Sequence, residues 1–482
     1  MRARIFAPEN RKWWTLGAVS FALFMIMLDN TIVNVALPAI RRDLGIGISA
    51  LEWTVTSYAL TFAVLMLSGG KLADLLGRRR IFMVGLAVFT LSSLWCGLSG
   101  SATELIAARS VQGVGAALMM PATLSIITAT FPVAERGTAI GIWAGISAIA
   151  LAIGPLAGGL ITEHLSWNWI FFINVPIGAL GFLVTRLVVP ESRDTSRDQR
   201  LDLPGLVTSG VALLALVYAL IEGNKYGWMS GRIVGLFVIA AVGLASFVLL
   251  EMRQRLPMLD LSLFRSGTFA GANLVAILVT LAMFGIFFFF PIYMQTYHEP
   301  RWSPVQAGAA LLPWTLMVVI FAPIAGKLSD RVGSRWLMGA GMVVVGASCV
   351  VLSTVGLRSS FWHMLPGFLL GGIGMSFVMT PMSAAAMGAA PVAKSGVASA
   401  VLNTFRQVGV SLGIAVMGAI LANRAKAAAL NGADPRHAFM HGFTFGLRVS
   451  AIICLAAAIA AVGLVRRYRH AEEEAPVLEV AA

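Results

Sequence analysis

The chain has 482 residues, of which 58% are hydrophobic and 12% charged, with a mean hydropathy of +0.85. Soluble proteins are about 45–50% apolar and about 25% charged, so 35 basic and 22 acidic residues cannot cover a water-soluble globule of this length. A soluble enzyme, a secreted domain and a disordered chain do not fit these figures, and the net charge of +13 has to be located before nucleic acid is invoked as its partner.

A helix crossing the hydrocarbon needs about 20 apolar residues. On that rule the sequence predicts an all-α polytopic membrane protein. The first span, near 14–35, follows the basic stretch Arg2 to Lys12 and is too long for a signal-peptide core, so it is read as retained. Five more follow near 52–70, 81–98, 105–127, 137–160 and 169–189. A pair near 204–221 and 233–250 comes after a polar stretch holding Arg193, Asp194, Arg197, Asp198 and Arg200. The last six lie near 269–294, 304–325, 336–354, 364–387, 397–420 and 443–465, making fourteen.

Gly70-Lys71-Leu72-Ala73-Asp74-Leu75-Leu76-Gly77 recurs as Gly326-Lys327-Leu328-Ser329-Asp330-Arg331-Val332-Gly333, after the second and the tenth span. The same side and spacing imply two parallel six-helix bundles. The expected organisation is 1–190 as the first bundle, 191–203 as a linker and 204–265 as an inserted pair with its loop. Residues 266–466 then form the second bundle and 467–482 a tail. Duplicated bundles of this kind build alternating-access carriers, with the substrate site between the halves.

Even span number puts both ends on one side. With the N-terminus inside, the inner segments hold 23 Lys and Arg, counting Arg186 at the inner end of the sixth span, the outer loops nine, and Arg109, Arg406 and Arg448 lie within spans. The positive-inside rule then places both termini in the cytoplasm of a cell inner or plasma membrane. Charge spread over many loops is no nucleic-acid patch. Trp53, Trp167, Trp169, Trp228, Trp302 and Trp362 sit near outer span ends, as an interfacial belt would.

Asp29 lies about 15 residues into the first span, whereas the other acids fall in loops, tails or span ends. A charge near a helix centre costs about +2.5–3.5 kcal/mol on insertion scales and usually marks an ion or proton path; the bland alternative is a carboxylate that only pairs with a neighbouring span. Arg109 and Gln112 share a face of span 4 beside Gly113, Gly115, Ala116 and Ala117, which permit close helix approach. Arg109 cannot release its proton and serves as fixed charge, unless it snorkels outward. The Gly70, Asp74, Gly77 and Arg78 turn, with Gly326, Asp330 and Arg331 in the second copy, reads as a latch between helices or as a static basic turn. Gly154-Pro155 and Gly158-Gly159 in span 5 fit either a hinge or plain helix packing. Asn403, Arg406 and Gln407 in span 13, with Asn30 and Asn34 in span 1 and Gln112, are candidate cavity lining; interhelical hydrogen bonds are the alternative. Glu222 ends span 7 before Gly223-Asn224-Lys225, where exposure is expected and a coupling role is the other reading.

Enzyme signatures are missing. Neither Gly-Lys pair has the upstream glycine or following Ser/Thr of a phosphate loop. The six histidines fall in loops or at span ends, no metal cluster is seen, and Cys96, Cys349 and Cys454 sit in apolar runs without a disulfide framework.

At these residues the sequence resembles the major facilitator superfamily, and within it the 14-span drug:proton antiporter branch of EmrB/QacA type. Leu28-Asp29-Asn30-Thr31-Ile32-Val33-Asn34-Val35-Ala36-Leu37-Pro38 fits the first-span motif, and Arg109 to Ala117 the fourth-span motif. Ala150 to Gly159 is similar to the fifth-span antiport motif, and Trp167-Asn168-Trp169 through Pro176 to the entry into span 6. The inner-loop motif departs, with Leu75 where a basic residue is usual; Arg331 keeps it in the second copy, so Arg78 is expected to substitute in the first. The resemblance implies a monomeric bacterial multidrug exporter driven by protons without a cofactor. Asp29 would be the coupling acid, Arg109 its partner, and span 5 a hinge. Substrates would be amphipathic or cationic toxic compounds. A dedicated exporter of a lipid, siderophore or self-made antibiotic is the alternative; a membrane sensor would need a soluble output domain, for which the polar segments are too short.

Overall fold

The computed structural model describes residues 8–193, 201–254, 257–391 and 394–466. The linker stretch 194–200 and the tail 467–482 lie outside the described residues. Fourteen helices long and apolar enough to cross a membrane follow in order. The first six are α1 Asn10–Leu44, α2 Ile48–Leu76, α3 Arg78–Leu98, α4 Ala102–Thr130, α5 Glu135–His164 and α6 Trp169–Val188. Next come α7 Leu203–Tyr226 and α8 Gly231–Arg253. The remainder are α9 Gly267–Tyr297, α10 Pro304–Val332, α11 Ser334–Leu352, α12 Phe361–Gly388, α13 Gly396–Leu430 and α14 Pro435–Leu464. No strand occurs among the described residues.

Local sequence explains where the helices start and stop. Ser101 accepts from the Glu104 amide ahead of α4, and Ser303 with Gln306 forms a reciprocal capping box at the head of α10. Asp434 accepts from the Arg436 and His437 amides at the start of α14. The tight α2–α3 and α10–α11 turns pass through Gly77 and Gly333 at φ of +112° and +94°, a region glycine enters without a Cβ clash. Both glycines end the duplicated motif. α6 begins with a short turn, Trp169–Phe172, before its main helix Asn174–Val188, and α10 is interrupted at Leu311. Several helices begin earlier than the apolar stretches alone suggest, because capped polar turns prolong them beyond the hydrocarbon.

α1 to α6 pack among themselves, as do α9 to α14, giving two six-helix bundles. α7 is packed on α8, α2 and α13, so it touches both bundles, while α8 is the least buried span. The bundles meet through α5 on α10, α2 on α13 and α1 on α9.

These meetings concentrate at the face away from the chain ends. A Cβ on Gly159 would come within 2.5 Å of the Pro304 carbonyl oxygen, and one on Gly308 would strike the Pro155 carbonyl. The Val305 amide donates to Glu163 Oε2 at 2.8 Å, and Gln295 Nε2 to the Val35 carbonyl at 2.9 Å. Toward the face that holds the chain ends, the bundles part. On α5, Gly137, Thr138, Gly141, Ala144 and Gly145 are exposed, and so are Pro323, Ala384, Gly396 and Val397 in the second bundle. The molecule is closed at the far face and open at the face of its termini.

Candidate functional site

Asp29, Arg109 and Gln112 converge inside the first bundle. Arg109 Nη1 donates to Asp29 Oδ2 at 2.5 Å and to Gln112 Oε1 at 2.7 Å, while Gln112 Nε2 donates to Asp29 Oδ1 at 3.0 Å. Arg109 Nε donates to the Thr54 carbonyl at 3.2 Å, and the guanidinium lies 4.2 Å from the Tyr58 ring centroid. Asp29 and Gln112 have no exposed surface and Arg109 has 1%. Neither a lone acid nor a snorkelling arginine is present; the two charges are sealed as a hydrogen-bonded pair.

Helix packing makes this possible. Cβ atoms on Gly113 and Gly115 would meet the backbones of α2 and α3 at 2.5 and 2.6 Å, at Tyr58 and Phe89. The small residues therefore bring α4 onto α2 and α3, which aims Arg109 across α2 at α1. Tyr58 and Thr54 were not singled out from the sequence: an aromatic ring and a backbone carbonyl carry no motif of their own. Gln112 is corrected from cavity lining to a member of the sealed cluster. Asn34, also expected in the cavity, is 5% exposed and donates to the Asn30 carbonyl on the closed side; Asn30 is part-buried and donates to Ile26.

Glu222 is buried, against the exposure expected at a helix end. Ser49 Oγ and Trp53 Nε1 on α2 donate to its Oε1 at 2.7 and 3.3 Å, and Lys225 Nζ lies 3.7 Å from Oε2. α2 starts at Ile48, earlier than expected, and so reaches α7. That earlier start also buries Glu52, which the sequence reading assigned to a span end. Its carboxylate lies against Gly418 of α13, where a side chain would collide with it. Trp53 thus points at Glu222, and Trp167, 4% exposed, donates to Asp43 Oδ2 at 2.7 Å. These two indoles serve carboxylates instead of a lipid-facing belt, whereas Trp169 and Trp362 are exposed.

In the first inner-loop motif, Arg78 Nε donates to Asp74 Oδ1 at 2.9 Å and Arg78 Nη1 to the Ser125 carbonyl of α4 at 3.4 Å. Arg78 stands where Leu75 cannot serve. Glu191 accepts the Arg79 and Arg80 amides, a cap on α3 that is absent from the sequence reading. Gly70 has only the Pro121 side chain at 3.3 Å, whereas its neighbour Gly69 is pressed against the Ala117 carbonyl, so Gly69 is the contact glycine. In the second copy Asp330 and Arg331 are exposed and Gly326 is part-buried. In α5, Gly154 and Gly158 face Thr31 and Ile32 of α1, while Pro155 and Gly159 meet α10. The motif therefore packs inward on α1 and across the bundle seam on α10. Arg406, Asn403 and Gln407 are part-buried on α13, and Arg406 Nη2 donates to Ser383 Oγ of α12 at 2.8 Å.

Among the described residues no group of His, Cys, Asp or Glu could hold a metal ion. The family model described as Major Facilitator Superfamily matches residues 19–413 and 272–480. The multidrug resistance protein Stp of Mycobacterium tuberculosis is 40% identical over 85% of this chain and 75% of its own. The puromycin resistance protein pur8 of Streptomyces alboniger is 35% identical over 97% and 94% respectively. The tetracenomycin C resistance and export protein of Streptomyces glaucescens is 35% identical over 86% and 77%. Among solved structures, a bacterial homologue of the human lysosomal transporter Spinster aligns with a TM-score of 0.68 at 17% identity, covering 96% of this chain and 99% of that one.

Proposed function

Since the chain belongs to the Major Facilitator Superfamily, we propose that it exports amphipathic or cationic toxic compounds across a bacterial inner membrane in exchange for protons, by alternating access. What carries the reading is the mid-span carboxylate of Asp29, sealed from solvent and held by Arg109 at 2.5 Å. A buried ion pair holds only while its geometry is excellent. A rearrangement within the first bundle that draws α1 away from α4 as the bundles rock would leave Asp29 without its partner, which favours taking up a proton. Re-forming the pair expels that proton. Arg109, always charged, sets the state in which Asp29 is ionised.

Resistance and export are in the names of the relatives that support the drug-efflux reading. The basic inner loops support cytoplasmic termini, so the open face described above would admit substrate from the cytoplasm. Ion coupling suffices without a cofactor: one proton moving through ~100 mV and one pH unit supplies about 3.7 kcal/mol. That sustains a gradient of roughly a few hundredfold for a neutral substrate. The Asp74–Arg78 contact and the α5 seam would act as latch and hinge, and a single copy of the chain suffices for the cycle.

Proteoliposomes with an imposed pH gradient test the reading. Asp29→Asn is expected to lose at least about tenfold of pH-driven dye transport, the scale of one lost charge interaction, while retaining substrate exchange. Transport by the variant that responds to pH as the wild type does would remove Asp29 from the coupling step. The dedicated-exporter alternative is favoured by the relatives named for single antibiotics, and a panel in which one compound alone moves would select it.

A further inference from the structure

The two bundles treat their interior cations differently. Arg109 is neutralised and sealed by Asp29. Arg406, on α13, is part-buried, and among the described residues no carboxylate lies within ion-pair distance of it. Its hydrogen-bond partners are neutral: Ser383 Oγ at 2.8 Å and a long contact of 3.4 Å to Asn403 Oδ1. Its Nε is enclosed without an acceptor, as is the Thr404 hydroxyl two residues earlier. A guanidinium offers five N–H donors in a planar fork that matches a carboxylate in bidentate fashion. Here that fork is only partly used.

The surroundings suit an apolar molecule with one polar end. Met379 and Met387 stand four residues before and after Ser383 on the same face of α12, and all three are part-buried. Thioether side chains adapt to varied apolar shapes. Of the buried acids in the opposite bundle, Asp29 is already held by Arg109 and Gln112, and Glu52 is enclosed against Gly418 of α13 at the closed face.

The geometry points to an anion-anchoring subsite formed by Arg406, Asn403 and Ser383, which takes a carboxylate, phenolate or comparable anionic group of an otherwise apolar substrate. This rests on the export reading above and narrows its substrate class from amphipathic or cationic to amphipathic and anionic.

The test uses the purified full chain with three probes: fluorescein as anion, rhodamine 6G as cation and Nile red as neutral dye. Binding is read by fluorescence anisotropy in detergent, and pH-driven transport in proteoliposomes. The wild type is expected to bind fluorescein about tenfold more tightly than rhodamine 6G. Arg406→Gln should weaken fluorescein by about tenfold, the loss of one charge-assisted contact, and leave Nile red within about threefold. Arg406→Lys should restore part of the fluorescein binding, because the charge returns without the fork. Should the glutamine variant fail to fold, Ser383→Ala, which keeps the charge and removes the neutral acceptor, replaces it and must change fluorescein binding more than Nile red. Preference for rhodamine 6G in the wild type, or an equal loss of all three probes in the variants, overturns the subsite. The two readings fail separately. Fluorescein binding through Arg406 with no pH-driven transport would sink proton-coupled export and support the subsite, whereas pH-driven transport of Nile red with fluorescein indifferent to Arg406 does the reverse.

Discussion

At the scale of single residues, the sealed Asp29–Arg109–Gln112 cluster makes its members unequal under mutation. Arg109→Gln leaves a carboxylate buried without its cation, and truncating one partner of a buried pair costs about 3–5 kcal/mol. The expected outcome is a lower melting temperature for Arg109→Gln in detergent than for the charge-balanced double variant Asp29→Asn with Arg109→Gln. Equal melting temperatures would mean that the pair is solvated. Gln112→Ala, which removes hydrogen bonds without removing charge, should fall between the double variant and the wild type. Much of this cluster was legible in the sequence, because an acid and an arginine at mid-span depth have few other ways to be tolerated. Their third and fourth neighbours were not. Tyr58 and the Thr54 carbonyl enter only when Gly113 draws α4 onto α2, a contact between segments about 50 residues apart.

At the scale of helices, two kinds of junction carry different loads. The seam between α5 and α10 closes through glycines, so Gly308→Ala would push α10 from Pro155 and disfavour the closed far face. Raised labelling of a cysteine placed at Gln306 by a membrane-impermeant reagent is the expected result; unchanged labelling would show that the seam absorbs the methyl group. The α7–α8 junction is tied by Asp202, whose carboxylate accepts from the Gly205 amide and Gln254 Nε2, both at 2.8 Å, and from the Met258 amide. Burial opposes ionisation of Asp202, yet these donors hold its pKa below the ordinary carboxylate value. A depressed value means that the stabilisation is present above the unfolded pKa and is lost as pH falls through the folded one. Asp202→Asn should therefore destabilise at neutral pH, by about 0.5–2 kcal/mol as for a lost helix cap, and its deficit against the wild type should shrink below pH ~3.9. Thermal melts at pH 7 and in that acid range measure it. Apolar length alone predicted α7 and α8, but not this clamp. Nor did it predict that Glu222 is buried, because a helix-end acid reads as exposed until a second helix is known to reach it.

At the scale of the whole molecule, hydropathy and the duplicated inner-loop motif made the two-bundle architecture readable, since span count, side and repeat all follow from one-dimensional pattern. The conformation did not follow, because either closed face uses the same helices and differs only in which halves of them touch. Cysteines replacing Gly137 on α5 and Gly396 on α13 mark the open face. Spin labels there should approach one another when fluorescein or a pH gradient drives the cycle; a distance that stays constant would exclude rocking as the motion. A less obvious consequence lies in α7, which is seated across the junction of α2 and α13 with α8 outside it. Two flanks of the molecule separate its halves from the lipid, and this pair boards over one of them. The other flank, along α5 and α10, presents Ile142, Ile149, Ile153, Ile320 and Ile324 to the outside. The molecule thus turns two unlike flanks to the bilayer, one boarded over by α7 and α8 and the other a bare run of isoleucines.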